Sequence, residues 1–380
     1  MKKKKKKKRI PFLRRVLVFI NILFALGLVG ILISSNINPS KIWILGIPAL
    51  FYPFAILVNF LFMVYWMIRF KYFFLISLIS IAIGYRHLQS FVQWNNTSEV
   101  LPEEGINLKI LSYNVRVFDL YNYGPGWSLN FENRNNIFRF MEQQDFDILG
   151  LQEFVYDKSG KFKTLDTLPN LISARNVHTG FTQSSRDVNF FGLATFSVYT
   201  IIKEGRIDMP TQMGNLCIYT DLLIEEDTIR VYNIHLESIG LSAEDYIFME
   251  SITNFESLKQ GDYLKQSGKR ILGRLREGYR NRGIQADIIA SHIEECPYPV
   301  ILLGDFNDTP SSYVYRTISR HLQDAFWSGR GTGQTYIGTI PGFRIDYIFH
   351  SEHFKAYNFQ TGKQKYSDHF PVYTWLNYKK

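Results

Sequence analysis

The chain of 380 residues has little cysteine and few charged residues. Its two cysteines, Cys217 and Cys296, are too few for a disulfide scaffold or for a zinc site built from cysteine ligands. Charged residues make up 20% of the chain and hydrophobic residues 46%, a balance that excludes global disorder and supplies a large core. The length fits two modules better than one.

Three common catalytic or phosphate-binding patterns are also missing. The chain has no G-x-S-x-G pattern, which argues against a serine hydrolase with a nucleophile elbow. It has neither the P-loop pattern nor the glycine pattern of dinucleotide-binding folds. The chemistry must therefore be sought in other residue types.

Positive charge is concentrated at the start of the chain. The net charge is +9, yet the first 15 residues alone carry +10, from Lys2 to Lys8, Arg9, Arg14 and Arg15. Residues 16–100 carry +3 and residues 101–380 carry −4. The C-terminal part therefore lacks the broad basic surface with which proteins bind polyanions non-specifically.

Three apolar runs follow the basic segment. Residues 16–35 and 42–68 are uncharged and reach the roughly 20 residues that cross a bilayer. Residues 72–91 form a shorter run that spans only if Arg86 and His87 extend to the interface. We expect a cytoplasmic tail over 1–15 and a bundle of three transmembrane helices over 16–92. A secretory signal peptide is the alternative for the first run, but the second long run directly after it favours the anchor.

The positive-inside rule predicts the orientation of this integral membrane protein. The lysine tail lies in the cytoplasm, the loop 36–41 with one charge lies outside, and the loop 69–71 with two charges lies inside. Everything after the third span is then extracytoplasmic. If the third run lies in the interface instead, the C-terminal domain is cytoplasmic.

The remainder of the chain has the pattern of a mixed α/β domain. Residues 93–107 are polar and read as a linker. From residue 108 to residue 380, strand patterns such as Lys109 to Val115 alternate with helical patterns such as Arg134 to Gln144 and Gly278 to Glu295. The mixture predicts two packed sheets covered by helices.

Polar side chains stand at the ends of several apolar strands. Any one of them is more often a turn residue or a cap, but six such segments together favour a site. Their oxygen atoms suit Mg²⁺ or Mn²⁺, and their two histidines suit proton transfer and charge stabilisation, as attack of water on a phosphate ester requires. The residues are Asn114, Glu153, His235, Asp305, Asn307, Asp346, Asp368 and His369.

The segments LQE, NIHL, GDFND, RIDYIF and SDHFPV, in this order, resemble the motifs of the endonuclease/exonuclease/phosphatase superfamily, which has the DNase I-like fold. The resemblance covers Leu108 to Tyr378 and leaves the first hundred residues uncovered. It implies a four-layered α/β sandwich and a divalent-metal phosphoesterase.

The resemblance also implies a metal site. Asn114, Glu153 and Asp368 resemble the ligands of a Mg²⁺ or Mn²⁺ ion. Arg282 and Gln285 resemble a helical motif that packs under the site without taking part in catalysis.

Five further residues resemble the catalytic groups of this superfamily. Asp305 resembles the carboxylate that aligns or activates the attacking water, and Asn307 resembles the partner that holds this water and the phosphate. His369 resembles the general base or the phosphate-binding histidine, oriented by Asp346. His235 resembles the second histidine, which donates to a non-bridging oxygen.

Together these features predict a membrane-anchored, metal-dependent phosphoesterase that hydrolyses a phosphodiester or phosphomonoester near the bilayer, such as a lipid headgroup. An extracytoplasmic nuclease acting on DNA or RNA is the alternative. A non-catalytic membrane module of the same fold is a third hypothesis. It predicts the loss of a ligand or a histidine, and this chain retains all of them. The sequence leaves the oligomeric state open.

Overall fold

The computed structural model describes residues 11–95, 98–124, 126, 128–210, 214–242, 244–245, 247–248, 251, 261–338 and 342–379. The lysine run of the predicted cytoplasmic tail lies outside the described residues.

The first part of the described chain is a compact group of helices, here called the helical unit (residues 11–92). Its helices are α1 (Phe12–Ser34), α2 (Ile47–Leu50), α3 (Tyr52–Ile68), α4 (Phe74–Ile83) and α5 (Tyr85–Gln89). Helices α1, α3 and α4 pack against one another. Trp66, near the end of α3, donates to Asn21 of α1, and Asn59, earlier in α3, donates to the carbonyl oxygen of Phe24, later in α1, so α3 runs antiparallel to α1.

Polar side chains lie inside the helical unit beside a small apolar cluster around Leu28, and large apolar side chains also cover its outer faces. Asn21 donates to the Ser77 hydroxyl over 2.6 Å, and Ser80 donates to Asn59 over 3.3 Å. These four residues are buried. The exposed outer faces carry large apolar side chains, among them Phe19, Leu23, Leu26, Leu57, Phe60, Leu61 and Ile79. Such an extensive apolar outer surface is unlike that of a water-soluble helical bundle.

The three predicted spans are only partly present as helices. By length and composition, α1 with 23 residues is one helix able to cross a membrane, and a second exists if the segment Trp43–Leu50 and α3, bent by 55°, form one span. The third predicted span, 72–91, is not one long helix, because α4 has 10 residues and is followed by the separate α5. The helical unit thus does not confirm a bundle of three full-length spans.

Two six-stranded sheets form the rest of the fold, here called the sandwich domain (residues 106–379). The first sheet has the order β13-β14-β2-β3-β5-β4. Its strands are β2 (Ile106–Asn114), β3 (Ile148–Asp157), β4 (Asn176–Ser185), β5 (Asn189–Ser197), β13 (Phe354–Thr361) and β14 (Val372–Tyr378). The second sheet has the order β10-β12-β9-β8-β7-β6. Its strands are β6 (Thr200–Ile207), β7 (Leu216–Ile224), β8 (Asp227–His235), β9 (Val300–Asp305), β10 (Gln323–Asp324) and β12 (Asp346–His350).

Helices cover the outer face of each sheet, which confirms the four layers expected from the sequence. One core lies between the sheets and joins Ile110 and Ile148 to Leu303. A second core packs α6 (Glu132–Gln144) and α7 (Leu168–Leu171) on the first sheet. A third packs α8 (Gly261–Glu294) and α9 (Tyr313–Ile318) on the second sheet. Burial of these apolar side chains, at about 1.5–3 kcal/mol each, is the main stabilising term of the domain.

The helical unit docks on the α8–α9 side of the sandwich domain. Asn38 donates to Asp287 of α8 over 2.6 Å, and Ser311 donates to the carbonyl oxygen of Ala49 over 2.7 Å. Arg344 donates to the Ser90 carbonyl oxygen over 2.9 Å. Within the predicted linker, the short strand β1 (Gln93–Trp94) pairs with β11 (Arg330–Gly331).

Candidate active site

Two pairs of parallel strands end at the same edge of the sandwich domain. In the first sheet β2 runs parallel to β3, and in the second sheet β8 runs parallel to β9. Asp305 stands opposite His235 on one side and opposite Asp346 on the other. Asn114 ends β2 beside β3, where Glu153 lies. Strand pairing thus brings together residues that are far apart in the chain.

The carboxylate of Asp305 is the centre of this group. Its Oδ2 accepts a hydrogen bond from Asn114 Nδ2 over 3.0 Å and lies 3.8 Å from Nε2 of both His235 and His369. Burial raises the pKa of Asp305, and the Asp346 carboxylate raises it further, while the two histidines lower it. A carboxylate with a raised pKa is a better proton acceptor than one in water.

The backbone around Asp305 depends on a glycine. Gly304 has φ +150°, and a Cβ there would stand 2.1 Å from the carbonyl oxygen of Ile234 on the neighbouring strand. Asn307 has φ +52°, its amide N–H donates to Asp305 Oδ1 over 2.8 Å, and its side chain donates to the Leu236 carbonyl oxygen over 2.9 Å. The tight turn after β9 therefore holds Asp305 and Asn307 together.

His369 and Asp346 form a buried pair. His369 Nδ1 lies 2.8 Å from Asp346 Oδ2, which orients the imidazole so that Nε2 faces Asp305. Burial alone would lower the pKa of His369, but the Asp346 and Asp305 carboxylates raise it to about 10. The imidazole is therefore cationic at neutral pH and able to donate to an anionic oxygen.

Glu153 reaches the site because β3 is irregular at this point. Its φ is +51°, and the pairing of β3 with β5 shifts register between Leu151 and Phe154. Such a bulge redirects a side chain out of the regular alternation of a strand. Glu153 Oε1 accepts from Asn114 Nδ2 over 3.2 Å and lies 4.0 Å from His235 Nε2. It lines an open cleft of about 290 Å³ together with Val117, Tyr121, Thr182, Gln183, Phe191, Gly192, Gly214 and His235.

The oxygen-rich side of the site suits a divalent cation. Burial raises the pKa of Asp368, and the charge of Glu153 raises it further, whereas His369 and Arg116 lower it. Two carboxylates that repel each other in this way are stabilised by a cation between them, and oxygen donors are what Mg²⁺ and Mn²⁺ prefer. Ligand atoms of Asp305, Asp346 and His369 also lie within 4.8 Å of one another.

All eight residues predicted from the sequence meet at this edge, and three residues that the sequence reasoning missed lie beside them. Ser367 donates to the Asn114 carbonyl oxygen over 2.8 Å, and Arg116 Nε lies 3.6 Å from Asp368 Oδ2. Thr335 Oγ1 accepts from the Asp346 amide over 3.2 Å. Ser367 is the first residue of the segment SDHFPV and Arg116 follows Asn114 by two residues, whereas no pattern marks Thr335.

Helix α8 supports the site from below, as the resemblance implied. Arg282 donates to the Glu237 carbonyl oxygen over 2.8 Å and to Asp308 over 3.1 Å. Gln285 accepts from the Glu237 amide over 3.0 Å. These buried contacts fix the loops that follow β8 and β9.

Two stacked mixed sheets with carboxylates and imidazoles at one edge define the DNase I-like class of phosphoesterase and nuclease folds. The sequence model of the Endonuclease/Exonuclease/phosphatase family matches residues 111–369, and the chain belongs to this family. A second model, a domain of unknown function called DUF8431, matches residues 14–91.

Solved structures share the fold at low identity. An endonuclease/exonuclease/phosphatase from Beutenbergia cavernae DSM 12333 has a TM-score of 0.50 and 16% identity, over 72% of this chain and 72% of that chain. The endonuclease/exonuclease/phosphatase from Bacteroides vulgatus also has a TM-score of 0.50 and 16% identity, over 72% of this chain and 100% of that chain. None of the curated proteins matches the sequence.

Proposed function

We propose that the protein is a membrane-anchored, divalent-metal-dependent phosphoesterase that hydrolyses a phosphodiester or phosphomonoester bond next to the bilayer. The proposed hydrolysis rests on the position of Asp305 Oδ2, which lies 3.8 Å from two imidazoles and is hydrogen-bonded to Asn114. This is a proton acceptor flanked by two groups able to donate to a phosphoryl oxygen.

The metal ligands we propose are Glu153 and Asp368, with the side-chain oxygen of Asn114. When bound, Mg²⁺ or Mn²⁺ would act as a Lewis acid that offsets negative charge on the phosphoryl group. The alternative cation site at Asp305, Asp346 and His369 is less suitable, because Asp346 and His369 Nδ1 are engaged with each other over 2.8 Å.

In this proposal Asp305 accepts a proton from the attacking water, and Asn307 helps to position that water and the phosphate. His369, held cationic by Asp346, donates from Nε2 to one non-bridging oxygen, and His235 donates to another. Each donor is positioned by the backbone of a strand end or of the adjoining loop, which reduces the reorganisation needed in the transition state.

Membrane attachment is supported by the distribution of polarity in the helical unit. Its buried hydrogen bonds join Asn21, Asn59, Ser77 and Ser80, while its outer faces are apolar. A helix in lipid has no water to solvate its polar side chains, so it directs them toward other helices. The helix α1, at about 34 Å from 23 residues, is long enough for the hydrocarbon core.

The helix directions support an extracytoplasmic sandwich domain. The start of α1, the end of α3 and the start of α4 lie at one end of the helical unit, with Arg14, Arg15, Arg69 and Lys71 there. The opposite end, where Ser35 lies 3.5 Å from His87, adjoins the sandwich domain. By the positive-inside rule, the basic end is cytoplasmic.

A substrate held at the membrane is supported by the position of the catalytic loop. Asp308 follows Asn307 directly, and Ser311, three residues further on, donates to Ala49 of α2. The loop that carries Asp305 and Asn307 therefore reaches the helical unit. The charge of −4 over residues 101–380 argues against a nucleic-acid track, so we propose a phosphorylated lipid headgroup as the substrate class.

The test uses the purified full-length protein reconstituted in nanodiscs. Release of product is measured from short-chain phospholipids, soluble phosphoinositide analogues, plasmid DNA and RNA, each with Mg²⁺, with Mn²⁺ and with chelator. We expect metal-dependent hydrolysis of a lipid headgroup ester. Cleavage of plasmid DNA or RNA in preference to every lipid would instead establish the nuclease function.

The matched variants are Glu153→Gln, which removes a proposed ligand charge, and Asp157→Asn, which removes the charge of a carboxylate that accepts hydrogen bonds from the nearby loop at Ser159 and Phe162. We expect the first variant to need a higher metal concentration and the second to retain its metal dependence. An unchanged metal dependence for Glu153→Gln would refute the ligand assignment.

A further inference from the structure

A second cavity lies where the helical unit meets the sandwich domain, here called the junction cavity. It measures about 200 Å³ and lies between α5 and α9. It is lined by Arg86, His87, Ser90, Pro310, Tyr315, Arg316, Ser319, Leu322, Asp324 and Trp327. None of these residues lines the open cleft that contains Glu153 and His235.

The junction cavity carries positive charge without a counter-charge. Arg86 and Arg316 are exposed, and among the described residues neither side chain forms an ion pair. The one carboxylate in the lining, Asp324, is buried and already engaged by Arg344 over 2.6 Å and by the Tyr315 hydroxyl over 2.8 Å. Two free guanidinium groups at one cavity form a site for an anion.

Exposed aromatic residues at the junction cavity favour a position near the bilayer surface. Trp327 lines the cavity and is 50% exposed, and Tyr85, which precedes the lining residue Arg86 in the chain, is 57% exposed. Exposed tryptophan and tyrosine are enriched at the boundary between lipid and water. His87 of the lining lies 3.5 Å from Ser35, which directly follows α1.

We infer that the junction cavity binds the phosphate of an anionic membrane phospholipid through Arg86 and Arg316. This inference rests on the membrane placement proposed above but not on the catalytic activity. Each guanidinium presents a planar pair of N–H donors to phosphate oxygens, and basic side chains near the bilayer surface attract anionic headgroups. A lipid held between α5 and α9 links the helical unit to the sandwich domain.

The binding experiment uses the purified full-length protein in a zwitterionic detergent, followed by native mass spectrometry and by thermal unfolding. The probes are dihexanoyl phosphatidylglycerol, dihexanoyl phosphatidylcholine and inorganic phosphate. We expect the phosphatidylglycerol to bind and to raise the melting temperature, and the phosphatidylcholine to bind more weakly. Binding of inorganic phosphate as tight as that of phosphatidylglycerol would assign the site to free phosphate and overturn the lipid inference.

The decisive variant is Arg86→Gln combined with Arg316→Gln, with Lys41→Gln combined with Arg320→Gln as its control. Both pairs remove two exposed positive charges, but Lys41 and Arg320 do not line the cavity. We expect the first pair to weaken phosphatidylglycerol binding by about tenfold or more, because contacts with charged groups are lost. The control pair should bind as the parent does.

Equal binding by the parent and the Arg86/Arg316 variant would overturn the inference, and so would an equal loss in both variants, since that indicates diffuse attraction. The double variant Arg86→Lys with Arg316→Lys is the control for misfolding, because it keeps both charges and should retain part of the binding. Hydrolysis of a soluble ester by the Arg86/Arg316 variant should be unchanged. A parent protein without any hydrolytic activity that still binds phosphatidylglycerol would refute the proposed function alone.

Discussion

The helical unit and the sandwich domain differ in the side chains that they bury and expose. In the sandwich domain Ile110, Ile148 and Leu303 fill the space between the sheets. In the helical unit Asn59 and Asn21 occupy the interior, while Leu23 is 51% exposed. This difference is what the proposed placement requires, with the helical unit in lipid and the sandwich domain in water.

The two regions also use their buried polar groups differently. In the helical unit, Asn21 and Asn59 bond neighbouring helices and hold them together. In the sandwich domain, burial and the Asp346 carboxylate raise the pKa of Asp305, and Asp346 keeps an oxygen without a described hydrogen-bond partner. Burial at such a cost is typical of a functional site.

The largest expected effect is that of Asp305→Asn on hydrolysis. The substitution keeps the shape of the side chain and removes the proton acceptor, so we expect the rate with saturating Mg²⁺ to fall by about 10²–10⁴-fold. Thermal unfolding is the control for folding, because the Asp346–His369 pair is left in place. Single-turnover hydrolysis checks the rate, and a rate equal to that of the parent contradicts the assignment.

The Asp346–His369 pair should make stability depend on pH. The pKa of His369 is raised to about 10 by Asp346 and Asp305, against its ordinary 6.5. Its contribution is therefore fully present below about pH 6.5 and is lost as the pH rises toward 10. Urea unfolding with chelator should show this loss in the parent and a flatter pH profile in Asp346→Asn. Identical profiles would show that the pair is not coupled as described.

Two leucines with nearly the same exposure test whether the helical unit lies in lipid and the sandwich domain in water. Leu23 in the middle of α1 is 51% exposed, and Leu272 of α8 is 50% exposed. Lysine at the centre of a membrane span costs about 2.5–3.5 kcal/mol, so Leu23→Lys should reduce the carbonate-resistant membrane fraction. Leu272→Lys should change stability by no more than about 0.5 kcal/mol. A full membrane fraction for Leu23→Lys would refute the anchor.

The smallest expected effect is the difference in stability between substitutions at two buried asparagines. Asn59→Leu removes hydrogen bonds within the helical unit, and such bonds average about 0.6 kcal/mol in membrane proteins. Asn233→Leu removes the acceptor of one Gln152 hydrogen bond and the donor to the Ala194 carbonyl oxygen between the sheets, and should cost about 1–3 kcal/mol. Thermal unfolding of both variants in detergent measures the difference. A larger loss for Asn59→Leu would reverse the comparison.

The strand and helix patterns predicted most of the sandwich domain, because period-two and helical alternation follow directly from burial on one face. Strand Lys109 to Val115 is found as Ile106–Asn114. Helix Gly278 to Glu295 is found as Gly261–Glu294, longer at its start. That extra length carries little apolar periodicity, and Arg270 and Arg274 instead contact Asp245 over 2.7 and 3.2 Å. A distant carboxylate leaves no signal in the local pattern.

The residue types of the candidate site were also predictable, since carboxylates, amides and imidazoles after apolar strands are visible in the sequence.

The structure of the third apolar run was not predictable from the sequence. Arg86 and His87 interrupt this run, and its apolar helix has 10 residues. Composition alone does not decide whether such a run spans. The contacts of Ser90 with Tyr315 and Arg344 show that its end belongs to the junction with the sandwich domain.

By itself, the sequence determined the division of the chain, the layers of the sandwich domain and the kinds of group available for chemistry, because these follow from composition and periodicity along neighbouring residues. Only the tertiary structure decided that Asp305 Oδ2 lies between two imidazoles, that a bulge directs Glu153 to the same edge and that Arg86 and Arg316 share a cavity. These residues lie far apart in the chain, and Arg86 and Arg316 are more than two hundred residues apart. Their positions depend on strand register and docking, which no local pattern encodes.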